Sequence, residues 1–308
     1  EKLTCSGRYE MISYKIMDSL VFIIQSLRPN QWTKNLLVFA GIIFSNNIFD
    51  FRKQVVVLAA FVLFCALSGV IYILNDLTDL DNDKIHPVKS KRPIASGKLD
   101  VKHAKTAIAV LIPVTFASSF ALGRPFFIVV LGYFTLQVAY SLYLKNVVIL
   151  DIFAIAFGFL LRAVAGAVVI GVYISSWIII CTILLSLFLG MSKRRHELVI
   201  LEETALAHRF VLAEYSPYLL DQMISIVTAS TVIAYTLYTM APETIEKFGT
   251  RNLVFTVPFV LYGIFRYLYL IHQKGEGGSP EKILYSDVPL LINIMLWAIS
   301  VIVIISRG

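Results

Sequence analysis

Charge is scarce in this chain of 308 residues: Asp, Glu, Lys and Arg together supply 15% of it, against 58% for hydrophobic side chains. A water-soluble domain carries about 25% charged residues, so a soluble globular fold is excluded. Cysteine is scarcer still. Cys5, Cys65 and Cys181 are scattered, two of them inside apolar stretches, which leaves no disulfide framework and no zinc spacing. The histidines, His86, His103, His196, His208 and His272, form no i, i+4 ligand pair either. The apolar blocks also lack the polar alternation of barrel strands.

What is present is oil in long runs, with a mean hydropathy of +0.78. A bilayer crossing takes roughly 20 apolar residues. Blocks of about that length fall near 35–50, 54–75, 104–122, 126–144, 147–170, 174–191, 222–241, 252–271 and 287–306, which predicts nine spans. The expected fold is therefore an all-α integral membrane protein, with an amphipathic segment over 1–34 at the membrane surface and a nine-helix domain over 35–308. The segment "YEMISYKIMDSLVFIIQSL" is too polar for a signal-peptide core. Basic residues set the orientation. With the N-terminus cytoplasmic, 19 of the 27 Lys and Arg residues fall inside, 6 outside and 2 within spans. The prediction is N-terminus in, C-terminus out, in a prokaryotic plasma membrane, with two long cytoplasmic loops at 76–103 and 192–221. The net charge of +7 is then the inner rim of a membrane protein, suited to anionic lipid and phosphate, and requires no nucleic acid. A homo-oligomer is allowed but not required.

One stretch departs from this pattern. In "NDLTDLDNDKIHPVKSKRPIASG", residues 75–97, four aspartates arrive at the end of an apolar run and a basic loop follows. Asp76, Asp79 and Asp83 are spaced i, i+3, i+7, so on a continuing helix they share a face, with Asn75 beside them. Three carboxylates near a bilayer interface repel one another unless a cation sits among them. Mg²⁺ takes oxygen ligands, typically one or two carboxylates with waters and substrate phosphates. Pro87 ends the helix and turns Lys89, Lys91 and Arg92 back towards the acids. Acids for the metal and bases for the phosphates make a diphosphate site. The plainer alternative is a solvated helix end, which gives no reason for three acids on one face.

The string Asn75-Asp76-x-x-Asp79-x-x-x-Asp83 resembles the NDxxDxxxD motif of the UbiA superfamily of intramembrane transferases. The likeness extends to "LRPNQWTKNLLVFAGIIFS" at 27–45, "HPVKSKRPIASG" at 86–97, "YSLYLKN" at 140–146 and "LLRAVAGAVVIG" at 160–171. "RPNQWTKN" is similar to the decaprenyl-phosphate phosphoribosyltransferase branch. The resemblance implies a nine-helix bundle with its active site on the cytoplasmic side and Mg²⁺ as cofactor. Its reaction moves 5-phosphoribose from phosphoribosyl pyrophosphate to a polyprenyl phosphate lipid, for cell-wall arabinan-type precursors.

A departure chooses between branches. Members that use prenyl diphosphates carry a second acid motif, DxxxD, after the sixth helix; here that place reads "GMSKRRHELVILEE". Lys193, Arg194 and Arg195 precede Glu197, with Arg194 and Glu197 at i, i+3. One acid clamp fewer and several bases more suit a substrate set with three kinds of phosphate. On this reading Asp76, Asp79 and Asp83 bind Mg²⁺ and neutralise the departing diphosphate, with Asn75 as orienter and Lys89, Lys91 and Arg92 on phosphate oxygens. Glu197 accepts ribose hydroxyls, and Arg28, Gln31 and Lys34 meet the lipid phosphate. Tyr140 and Lys145 match a superfamily pattern at the end of the fourth span. Arg162, an intramembrane guanidinium, should face the bundle interior, with Asp151 as one expected partner. The nearest rival is prenyl transfer to an aromatic acceptor such as 4-hydroxybenzoate, which should want the missing DxxxD. A transporter would place its charges nearer the midplane.

Overall fold

Backbone polar groups inside a bilayer must be satisfied within their own segment, and the apolar runs all close into helices. The computed structural model describes residues 19–45, 47–200, 212, 214–278, 283 and 286–307. The expected surface segment therefore lies outside the described residues up to position 18, as does the second long loop from 201 to 211 together with Glu202 and Glu203. Positions 19–26 are helical, and a 3₁₀ segment, Pro29–Phe39, runs into the short helix α1, Ala40–Ile43. Then follow α2 (Phe51–Thr78), α3 (Leu80–Ile85), α4 (Val101–Leu122), α5 (Arg124–Leu142), α6 (Leu150–Val169), α7 (Ser176–Ile200), α8 (Pro217–Met240), α9 (Pro242–Phe248), α10 (Val257–Gln273) and α11 (Val288–Arg307). No strand occurs among the described residues.

Helix starts follow their capping residues. The Asp50, Asp100 and Ser216 side chains accept the Lys53, Lys102 and Leu219 N–H groups at the heads of α2, α4 and α8. Asp287 caps α11 through the Leu290 N–H and holds both a 3.1 Å and a 2.8 Å contact to Arg266. The hydrogen bonds from Arg266 keep its carboxyl below the ordinary aspartate range.

Eight described helices are long and apolar enough to cross a membrane. The remaining expected span, 35–50, is not one of the eight. It begins at Pro29, ends at Ile43 and is mostly 3₁₀. The steeper rise lets these residues reach about 28 Å, close to the roughly 30 Å of a hydrocarbon core. It fits tightly against α6. A Cβ on Gly166 would overlap the Val38 carbonyl, and one on Gly41 would lie 2.6 Å from the Ala167 Cα. Small residues let two backbones touch where no water drives helices together.

A second boundary also moves. The sixth span was expected to stop at 191, but α7 continues to Ile200, so "KRRHE" is helical rather than part of a loop. The two largest apolar clusters of the bundle share one helix. Val38, Phe64, Leu67, Phe126 and Tyr133 build one; Leu187, Phe188, Leu220, Ile224 and Tyr267 build the other. Helix α6 serves both, giving Ala165 to the first and Ile152 and Ala156 to the second. Val55, Leu58 and Val62, at i, i+3, i+7 on α2, are exposed; such a stripe suits lipid and would be a liability in water.

Candidate active site

The acids gather where α2 ends. Asp79 leaves helical geometry at φ −97°, ψ 13°, and α3 restarts one residue later. That break splits the expected row of three. Asp76 and Asp83 are buried, whereas Asp79 turns outward with its side chain 40% exposed. His86 is extended, as a residue before proline must be, and the chain doubles back through Lys89–Lys91. The return brings Arg92 between the two buried acids: its Nη1 donates to Asp76 Oδ1 at 3.0 Å and to Asp83 Oδ2 at 2.5 Å. Lys89 Nζ stands 3.8 Å from Asp83 Oδ1, and Lys145 Nζ 3.6 Å from Asp79 Oδ1. The basic loop thus folds onto the acids as its sequence predicts.

The other cation on Asp76 comes from the first span. Arg28 sits in the left-handed region at φ 52° immediately before Pro29, donates to Asp76 Oδ1, and lies 4.7 Å above the Tyr72 ring. Side chains at i and i+3 eclipse on a 3₁₀ helix, so Gln31 and Lys34 continue along the face that begins at Arg28, both half-buried. On the opposite flank Ser141 Oγ donates to Asn75 Oδ1 at 2.5 Å.

The second half of the site has the reverse arrangement. Arg194 is buried on α7 and donates from Nε to Asp151 Oδ2 at 2.8 Å, from Nη1 to Glu197 Oε2 at 2.7 Å and from Nη2 to Tyr140 OH at 3.4 Å. Tyr215 OH donates to Asp151 Oδ1 at 2.8 Å and accepts the Ile149 N–H at 2.6 Å. Burial, then the bond to Asp151, pushes the Tyr215 phenol well above its usual range, so it remains a donor. Tyr140 and Ser141, neighbours in sequence, therefore touch one half of the site each. Arg195 is held apart from both, on Asp221 of α8, which also meets His272 of α10 at 3.2 Å.

Several expected roles change. Arg162 does not pair with Asp151: eleven residues along a helix are about 16 Å, beyond the reach of a guanidinium. Its Nε, Nη1 and Nη2 donate instead to Asn35 Oδ1 (2.7 Å), Gly158 O (2.8 Å) and Tyr133 OH (2.6 Å), so its role is to tie the first span to α5 and α6. Lys91 is exposed and forms no ion pair among the described residues. Lys193 is half-buried on the outer turn beside Arg194. Arg194 is not a free phosphate clamp, since two carboxylates claim it. Sequence reasoning also missed Ser141, Asn35 and Tyr215, none of which carries a local signal.

The donor set fits a hard divalent cation. No group of three or more His, Cys, Asp or Glu is close enough to hold a metal among the described residues, so the expected triad reduces to Asp76 and Asp83. Two carboxylates aimed at one point, both all-oxygen ligands, are nevertheless what Mg²⁺ takes from a protein when substrate phosphates and water complete its shell.

The chain matches the UbiA prenyltransferase family over residues 36–286. Decaprenyl-phosphate phosphoribosyltransferase of Corynebacterium glutamicum is 32% identical over 285 residues, covering 91% of this chain and 85% of that protein. The protein of the same name from Mycolicibacterium smegmatis is 32% identical over 286 residues, covering 89% of each. Among solved structures, a UbiA homolog from Archaeoglobus fulgidus bound to GPP and Mg²⁺ superposes with a TM-score of 0.69 at 21% identity, over 92% of this chain and 99% of that one.

Proposed function

The chain belongs to the UbiA prenyltransferase family, and from that premise we propose that it transfers 5-phosphoribose from phosphoribosyl pyrophosphate to a polyprenyl phosphate, releasing diphosphate. The observation that carries the proposal is the cluster at the end of α2, where Arg28, Lys89, Arg92 and Lys145 stand over Asp76, Asp79 and Asp83. Four cations around three acids form a surface for phosphates as much as for metal. Among the described residues the second half contains no matching acid clamp, because Arg194 fills the space between Asp151 and Glu197. A substrate pair with more phosphate and less metal fits that asymmetry, and the relatives' names agree with it.

Held by Asp76 and Asp83, Mg²⁺ would supply charge neutralisation for the departing diphosphate. The protein's own groups supply the rest. Arg92 and Lys89 exchange an acid for a phosphate oxygen when the donor enters, and Arg28 with Gln31 and Lys34 meets the lipid phosphate. Asn75, fixed by Ser141, orients the donor. The anomeric carbon passes through an oxocarbenium-like state, so the largest gain lies in stabilising the leaving group. The nucleophile is a phosphate monoester whose second pKa is about 6, already largely dianionic at neutral pH, and no general base is required. The excess of Lys and Arg on one side supports a site on the cytoplasmic side of a plasma membrane, with the N-terminus inside.

The test is a two-donor assay on the purified chain with Mg²⁺ in detergent. One reaction receives phosphoribosyl pyrophosphate and a polyprenyl phosphate; the other receives a prenyl diphosphate and 4-hydroxybenzoate. A lipid-extractable phosphoribosyl product in the first reaction alone is expected. Product in the second alone would replace this reading with aromatic prenyl transfer.

A further inference from the structure

Only two non-glycine residues among those described have positive φ, and each stands at one half of the site. Arg28 carries a ligand side chain. Ile149 does not: the residue is 44% exposed and its side chain contacts none of the site groups by hydrogen bond or charge. Yet it holds φ 70°, ψ −47°, and the Leu150 N–H closes a 2.8 Å bond across it to Val148 O. That is a γ-turn of the rare, strained kind, with a β-branched residue at its centre. Strain of this sort persists only where the surroundings over-determine it. Here the Ile149 N–H is held by Tyr215 OH, and the same hydroxyl donates to Asp151, two residues on.

A chain of contacts runs outward from the turn. Tyr215 is buried, Asp151 is fully buried, Arg194 follows, and Glu197, with its side chain 27% exposed, is the first carboxylate to reach the open side. Glu197 Oε2 is taken by Arg194, and Oε1 has no hydrogen-bond partner among the described residues. An ionised carboxylate is an acceptor only. Facing an anionic donor it repels phosphate and accepts hydroxyl.

We propose that Asp151 and Tyr215 are positioning residues that, acting through Arg194, aim Glu197 at the ring hydroxyls of the sugar donor. The inference rests on the phosphoribosyl reading and adds to it the part of the donor that this half recognises. Tyr215 lies in the segment that leads into α8, so the entry to that helix sets the geometry of Glu197. The strained turn is the cost of placing the Asp151 carboxylate against both Tyr215 and Arg194.

The test compares phosphoribosyl pyrophosphate with its 2-deoxy analogue at saturating polyprenyl phosphate, using the full chain. The variants are Tyr215→Phe, Asp151→Asn, Glu197→Gln and the double variant Tyr215→Phe/Glu197→Gln. Wild type should prefer the hydroxylated donor by roughly 10- to 100-fold in kcat/KM, the range for a hydrogen bond to a charged group. Glu197→Gln should remove most of that preference. Tyr215→Phe should remove several-fold of it by raising donor KM, with lipid KM unchanged, and the double variant should be no worse than Glu197→Gln. Asp151→Asn, of the same shape, gives the same answer where Tyr215→Phe folds poorly. A preference in Tyr215→Phe and Asp151→Asn equal to wild type, or losses that add in the double variant, overturns the inference while leaving the transfer reaction intact. A wild-type chain that moves no phosphoribose fails the functional reading instead, before any variant is compared.

Discussion

The two halves of the site are built from the same residue types in opposite order. At the end of α2 the acids are at the centre and the cations on the rim: Asp76 and Asp83 are buried, while Arg28 and Arg92 are each 28% exposed. At the end of α7 the cation is at the centre, with Arg194 at 3% exposure between Asp151 and Glu197. A rim cation can release its acid and turn to an incoming phosphate at small cost, because water solvates it in either position and an entering Mg²⁺ would take its place on the buried carboxylate. A buried guanidinium cannot, because the carboxylate it leaves would be stranded in a low-dielectric interior. On the proposed function, the first half is then the half that exchanges partners with substrate, and the second is scaffolding that presents one carboxylate.

The largest effect should come from the acids of the first half. Asp83→Asn or Asp76→Asn is expected to lower turnover by about 10³-fold or more, since metal-assisted neutralisation of a leaving group contributes several kcal/mol. Thermal stability should change little, because Arg28 and Arg92 then face water. Removing divalent ions with a chelator should stop the reaction to a similar degree, and added Mg²⁺ should restore it. The comparison breaks if these variants keep turnover, or if they lose folding as severely as a change in the second half.

Arg194→Met sharpens the contrast from the other side. It strands Asp151, whose remaining hydrogen bond comes from Tyr215, and breaking a buried pair in this way costs about 3 kcal/mol or more. The expected signature is a lowered melting temperature in detergent without substrate. A variant as stable as wild type would show that Arg194 is not the keystone of that half.

How much of this was readable in the chain depends on how local the cause is. The acid row and its basic sequel lie within 18 residues, Asn75 to Arg92, and their pairing follows from Pro87 reversing the chain. The Arg194–Glu197 bridge is an i, i+3 contact and equally legible. Asp79 was misplaced because helical periodicity assumes an unbroken helix, and the turn at its own φ and ψ is not encoded in spacing. Asp151 was assigned the wrong arginine because its partner lies 43 residues away, and only the packing of α6 on α7 decides the choice. The 3₁₀ form of the first span was invisible for a related reason. An all-apolar run fixes that a helix forms, not its pitch, and nothing in the run announces the close approach to α6 at Gly41 and Gly166.

Arg92→Lys tests the geometry of the rim rather than its charge. The guanidinium reaches Asp76 and Asp83 together from one nitrogen, and an ammonium is a point charge without a planar fork. Donor KM should rise roughly 10-fold, the size of one lost charge-assisted hydrogen bond, with melting temperature unchanged. Equal donor affinity in the lysine variant would mean that the loop supplies field alone.

The smallest effect should come from Lys145→Met. Lys145 and Asp79 meet at 3.6 Å with side chains 27% and 40% exposed. Such a pair contributes about 0–1 kcal/mol to stability, so the melting temperature should not move. If Lys145 serves only to shield Asp79, turnover should stay within about fivefold of wild type, the upper end of that range. If it also carries a phosphate oxygen of the donor, the loss should exceed that and appear in donor KM alone, with lipid KM unchanged. Steady-state kinetics with each substrate varied in turn separates the two. The second result would add Lys145 to the exchanging rim with Arg28 and Arg92; the first would leave it, with Asp79, outside the part of the cluster that changes partners.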